Sequence, residues 1–83
     1  MAKDLRMILL LDCYGSFLTP RQQEMMTHYY SEDLSLGEIA ALTGTTRQAV
    51  RDSVKRSEQV LNSMEEKLQF AEKLCALRQN YAV

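Results

Sequence analysis

Five side chains suited to recognising a polyanion crowd into the stretch "RQAVRDSVKR": Arg47, Gln48, Arg51, Lys55 and Arg56. Guanidinium and ammonium groups neutralise phosphate, and arginine or glutamine can also form paired hydrogen bonds to guanine or adenine edges. Between Arg47 and Arg56 four basic residues stand against one acid, while the whole chain carries a net charge of −1. A local excess of this kind is the electrostatic footprint of a nucleic-acid surface. Asp52 works against it, because its carboxylate repels phosphate unless it accepts from a cytosine amine. A solvated helix face of ordinary cations would carry the same residues, so the elements that hold them decide the reading.

Catalytic and metal chemistry find little footing. His28 is the one histidine, beside an apolar stripe rather than within a cluster of acids or thiols. Cys13 and Cys75 are the only cysteines and neither has a second ligand near it in sequence, so both are expected as buried free thiols. No nucleophile and base pair, phosphate loop or metal cluster is present, and a non-enzymatic protein without cofactor or metal is expected.

The 83 residues, 46% apolar and 25% charged, suffice for one core. The class is all-α: the three glycines and one proline all lie at or before Gly44, and no stretch alternates with the period of a strand. The expected organisation is a single helical domain over 1–83, with a helix-turn-helix at 35–56 and an extended helical tail at 57–80. No apolar run of about 18 residues is long enough to cross a bilayer. Asp4 and Asp12 flank the short apolar core of a poor signal peptide, so a cytoplasmic protein is expected.

Helix starts are written in the side chains. A first helix, about Lys3 to Tyr14, is apolar on nearly every side and stops at Gly15. In "TPRQ", Thr19 caps, Pro20 takes the first helical position and Gln22 completes a capping box, which predicts a helix to about Ser31. Met25, Met26, Tyr29 and Tyr30 form its inward stripe. In "SLGE", Ser35 and Glu38 repeat the box and open a short helix to about Thr43, with Leu36, Ile39, Ala40 and either Leu42 or Thr43 inward. Gly44 supplies the left-handed corner and Thr46 caps the next helix at Arg47.

Ala40, Gly44 and Val50 have the spacing of a helix-turn-helix, in which Val50 and Val54 pack inward and Arg47, Gln48, Arg51, Asp52 and Lys55 must face out. Thr45 fills a turn position that such motifs often give to an aliphatic residue, predicting a looser corner. Beyond it, Val50, Val54, Ser57, Leu61, Met64, Leu68, Ala71 and Cys75 follow at alternating spacings of four and three. One helix from Arg47 to about Gln79 would measure roughly 50 Å, too long for a small globule to cover.

That seam is imperfect: Ser57 and Ala71 are small, and Val60, Phe70, Leu74 and Leu77 are apolar outside it. Either the tail bends near Asn62 and Ser63 and folds back on the first helix, or it pairs with a second chain. A homodimer is the expectation, because the first helix also exceeds what one small core covers. Asn80 to Val83 are expected to fray.

The marks "YGSFLT", Gln22 or Gln23, "YYSEDLSLGEIA" and "RQAVRDSVKR", spanning roughly Leu10 to Leu61, resemble the YlxM-like family of small bacterial proteins associated with the signal recognition particle pathway. The resemblance implies a helix-turn-helix similar to region four of sigma factors, and an accessory or regulatory role in protein targeting. Its implied partners are the particle's GTPase, its RNA or its receptor; DNA is the alternative ligand that the basic stretch suggests. Thr43 and Thr45 depart from the bulkier apolar residues usual in the family, and Arg51 stands where an aromatic is common.

Overall fold

Three side-chain caps set where the helices of this chain begin. Thr19 Oγ1 accepts from the Gln22 amide at 3.2 Å while the Gln22 side chain accepts from the Thr19 amide at 3.0 Å. Ser35 and Glu38 form the same reciprocal pair at 3.1 and 2.9 Å, and Thr46 accepts from the Ala49 amide at 3.0 Å. Each cap satisfies amides that the first turn of a helix leaves without a partner.

The computed structural model describes residues 5–81. The helices are α1 (Leu5–Tyr14), α2 (Pro20–Met26), α3 (Leu36–Thr43), α4 (Arg47–Leu68) and α5 (Phe70–Tyr81), with no strand among the described residues. A 3-10 turn, Gly15–Phe17, follows α1, and α2 runs on into a π-helical turn, Thr27–Ser31. The predicted end near Ser31 is thus met, with the last turn wider than an α-helix: the Glu32 amide reaches back five residues to the Thr27 carbonyl at 3.0 Å. Lys3, the expected start of the first helix, lies outside the described residues.

α4 is the central rod, packed by α1, α2 and α3. Its inward line of Val50, Val54, Ser57 and Leu61 is buried, as the seam predicts. Ser57, a weak place in that seam, is wholly buried, and its hydroxyl donates to the Ser53 carbonyl at 2.8 Å, so no polar atom is stranded. From α1 come Met7, Leu10 and Tyr14, and from α2 and its π-turn Met25, Met26 and Tyr30. Tyr29, expected inward with them, is half-buried and meets the Tyr30 ring edge-on at 4.9 Å between centroids. Cys13 and Cys75 are free and half-buried rather than fully enclosed.

The tail corrects two expectations. α4 continues unbroken through Asn62 and Ser63, and it does not reach Gln79: the chain turns at Gln69, whose φ of 52° is left-handed, before α5 begins. α5 then packs back on α1. Leu68, placed in the seam, is consequently 52% exposed, whereas Ala71 is buried.

The break is held by one side chain of α1 and one of α4. Tyr14 Oη accepts from the Phe70 amide at 2.9 Å, and Glu65 accepts from the Ala71 and Glu72 amides, each at 3.1 Å. Tyr14 in turn donates to Glu65 at 2.7 Å. Two residues from α1 and α4 therefore cap the first turn of α5, a task usually left to a local Ser, Thr or Asp. The helix extends through Tyr81, so the fraying expected from Asn80 does not begin there; residues 82 and 83 lie outside the described residues.

Candidate functional site

The corner between α3 and α4 is closed. Gly44 is left-handed at φ 69°, and the amides of Gly44 and Thr45 both donate to the Ala40 carbonyl, Thr45 at 3.1 Å. Thr43 donates its hydroxyl to the Ile39 carbonyl at 2.7 Å, so this polar residue is satisfied at the end of α3. The loosening expected from Thr45 does not occur, because the corner is held by backbone bonds that need no aliphatic side chain. Of the two alternatives on α3, Thr43 is half-buried and Leu42 is 64% exposed.

This corner fixes the roll of α4. Ile39, Ala40 and Val50 are buried against one another's helices, and Val54 follows one turn on. Arg47, Gln48, Arg51, Asp52, Lys55 and Arg56 are all exposed, as the helical period requires once the valines are dry. Among the described residues none of the four cations makes an ion pair. Their charge therefore faces solvent without internal neutralisation, which is what a phosphate-binding face needs.

The six residues do not all share one hollow. Arg47, Gln48 and Arg51 line one recess of about 430 Å³ together with Leu36 of α3, which is half-buried and forms its apolar wall. Lys55 lies further along, where it lines a smaller hollow with Arg51, Tyr29 and Glu58. Arg56 faces a different groove, beside Gln22 of α2. Asp52 does not stand alone: Gln48 donates its amide to it at 3.1 Å, one turn along the helix. The pair steers the Gln48 carboxamide and gives the acid a neutral partner.

Sequence reasoning placed Leu36 in the core and so missed its share in the recess; its place one residue after the Ser35 cap puts it at the rim of α3, where the start of α4 leaves it partly open. The other unforeseen anchor is Glu58, which accepts the hydroxyl of Tyr30 and ties the π-turn to α4 at the smaller hollow that Arg51 and Lys55 line. His28 pairs with Glu32, one turn on within the π-turn region. No group of three or more metal-ligating side chains lies together among the described residues, and no helix there is long and apolar enough to cross a membrane.

The sequence pattern of the UPF0122 family, helix-turn-helix proteins described as YlxM / p13 like, matches residues 1–82. A UPF0122 protein of Desulforamulus reducens is 58% identical over 65 residues, covering 78% of this chain and 56% of that protein. One from Shouchella clausii is 49% identical over 71 residues, covering 86% and 65% respectively. A third, from Clostridium kluyveri, is 42% identical over 80 residues, covering 96% and 72%. The chain thus spans little more than half the length of the first of these relatives. With the capped α3, the left-handed Gly44 corner and the outward basic face of α4 in place, the chain belongs to the UPF0122 family of YlxM / p13-like helix-turn-helix proteins.

Proposed function

We propose that this is a non-enzymatic accessory or regulatory protein of the signal recognition particle pathway, which binds its partner through the first turns of α4. One observation carries the binding half of this reading: Arg47, Gln48, Arg51, Lys55 and Arg56 are exposed, with no ion pair to the four cations among the described residues, on a helix anchored from behind by Val50 and Val54. A face of this kind favours a phosphate-bearing partner, so the particle's RNA fits it best, with the GTPase and the receptor as protein alternatives. The pathway half rests on resemblance to the YlxM-like family.

A second reading has its own support. Arg47, Gln48 and Arg51 sit in the first turns of the second helix of a helix-turn-helix, the place from which such motifs contact bases in the major groove. A transcriptional regulator of this type works as a dimer, and Leu68, Phe70 and Leu77, exposed around the junction of α4 and α5, offer apolar surface for a homodimer in the cytoplasm.

Titrating the chain against particle RNA and random genomic duplex in parallel, at low salt, separates the two. The expected result is a stable complex with the RNA, or with the assembled particle, together with a changed rate of GTP hydrolysis. Binding to duplex alone would transfer the protein to the second reading. Absence of binding to RNA, particle, receptor and duplex would remove both.

A further inference from the structure

A second groove runs along the opposite end of α4 from the recess. It holds about 500 Å³, and its floor is Val60 and Met64, both half-buried against the core. Arg56 and Lys67 mark its two ends on α4, with Gln59 and Ser63 between them and Gln22 of α2 on the far bank. Arg56 to Lys67 spans about three helical turns, roughly 16 Å. The lining contains two cations and no carboxylate. The groove on the other side of α4 differs in charge, with Glu65, Glu66 and Glu72 beside Arg6.

We infer that the groove formed by Val60, Met64, Arg56 and Lys67 is a docking site for an acidic amphipathic helix of a partner protein. The apolar floor of Val60 and Met64, about one turn long within the three turns that Arg56 and Lys67 bracket, accepts a pair of apolar residues spaced three or four apart on a helix laid along it. The cation at each end selects carboxylates about three turns apart on that helix and disfavours basic ones. Nucleic acid is a poorer occupant, since the floor is apolar and only the two ends are charged. The site is distinct from the recess under Arg47 and Arg51, although Arg56 stands between the two and couples them electrostatically.

The test uses a synthetic helical peptide of about four turns, with leucines at spacings of three and four flanked by glutamates, and the same peptide with lysine for glutamate. Two-dimensional NMR of the full chain reads where each binds. The acidic peptide is expected to move the resonances of Gln59, Val60, Ser63 and Met64, and the basic one to bind about tenfold more weakly or not at all. Lys67→Glu, an exposed change that leaves the fold intact, should weaken the acidic peptide about tenfold, while Arg51→Gln leaves it unaffected. Equal binding of both peptides, or shifts confined to Phe70 and Leu77, would overturn the inference. So would groove resonances that move with protein concentration alone, which would assign the groove to a second copy, or with duplex DNA. Because Arg51→Gln spares this binding and Lys67→Glu spares the α4 recess, failure here is separable from failure of the proposed nucleic-acid face.

Discussion

Arg51 and Gly44 illustrate two ways in which one residue governs the recess. Arg51 is exposed and lines both hollows of the basic face, so its removal changes binding and little else. Arg51→Gln is expected to weaken RNA or duplex binding about tenfold, within the 1–3 kcal/mol typical of one arginine contact, with stability unchanged to about 0.5 kcal/mol. Fluorescence anisotropy beside a thermal melt checks both parts. Gly44 acts through the backbone: a Cβ added there would meet no atom within 4 Å, so the cost of Gly44→Ala is the left-handed conformation alone. That cost is about 1 kcal/mol, or roughly 4–8 °C in the melt of a chain this size, and Gly44→Asn should lose less. Both residues were legible from sequence because each acts locally. Leu36 and Glu58 were not, since a recess wall and a tyrosine anchor depend on which helix arrives opposite them.

The starts of α2, α3 and α4 were legible for the same reason that the start of α5 was hidden. Thr19, Ser35 and Thr46 reach amides three residues ahead in their own chain, and that geometry follows from spacing. α5 instead receives its cap from Tyr14, which lies on α1, and from Glu65, which reaches forward over the turn from α4, so no side chain at the usual capping position beside Gln69 announces a break. The left-handed turn is held at a residue that dislikes it, and Gln69→Gly should raise stability by up to about 1 kcal/mol, read as a higher melting temperature. Glu65 makes the α5 contact sensitive to acid. Burial alone would raise its carboxyl, but the hydrogen bonds from Tyr14 and from the Ala71 and Glu72 amides, with Arg6 nearby, bring it below its ordinary value of 4.5. A lowered folded value means that the bonded carboxylate stabilises the fold above pH 4.5 and that this contribution fades as the pH falls through the folded value. Burial and the bond to Glu65 push the Tyr14 phenol up, so its protonated form persists in the fold and stability declines only as the pH rises past 10.0. Melts from neutral to acid pH should therefore fall more steeply for the native chain than for Glu65→Gln, which starts lower; parallel curves would show that Glu65 does not carry the acid response.

At the scale of the whole molecule, a net charge of −1 and a concentrated basic face pull in opposite directions. Long-range attraction to a polyanion is weak, so affinity must come from direct contacts between α4 and phosphate, each releasing a bound counterion. Arg47, Arg51, Lys55 and Arg56 set the ceiling, since they are the cations the corner turns outward together. For one copy on duplex the logarithm of affinity should fall with the logarithm of salt at a slope of about −3 to −4, and the slope should double if two copies bind together. Light scattering at the same protein concentrations supplies the stoichiometry, and the two measurements constrain each other: a doubled slope demands a dimer mass, and a monomer mass demands the smaller slope. Arg47→Gln should reduce the slope by about one unit per copy. Binding that persists unchanged across the salt series would show that the face engages a protein surface through Leu36 and the Gln48 and Asp52 pair instead of phosphate, and the targeting GTPase or its receptor would then displace the RNA as the partner.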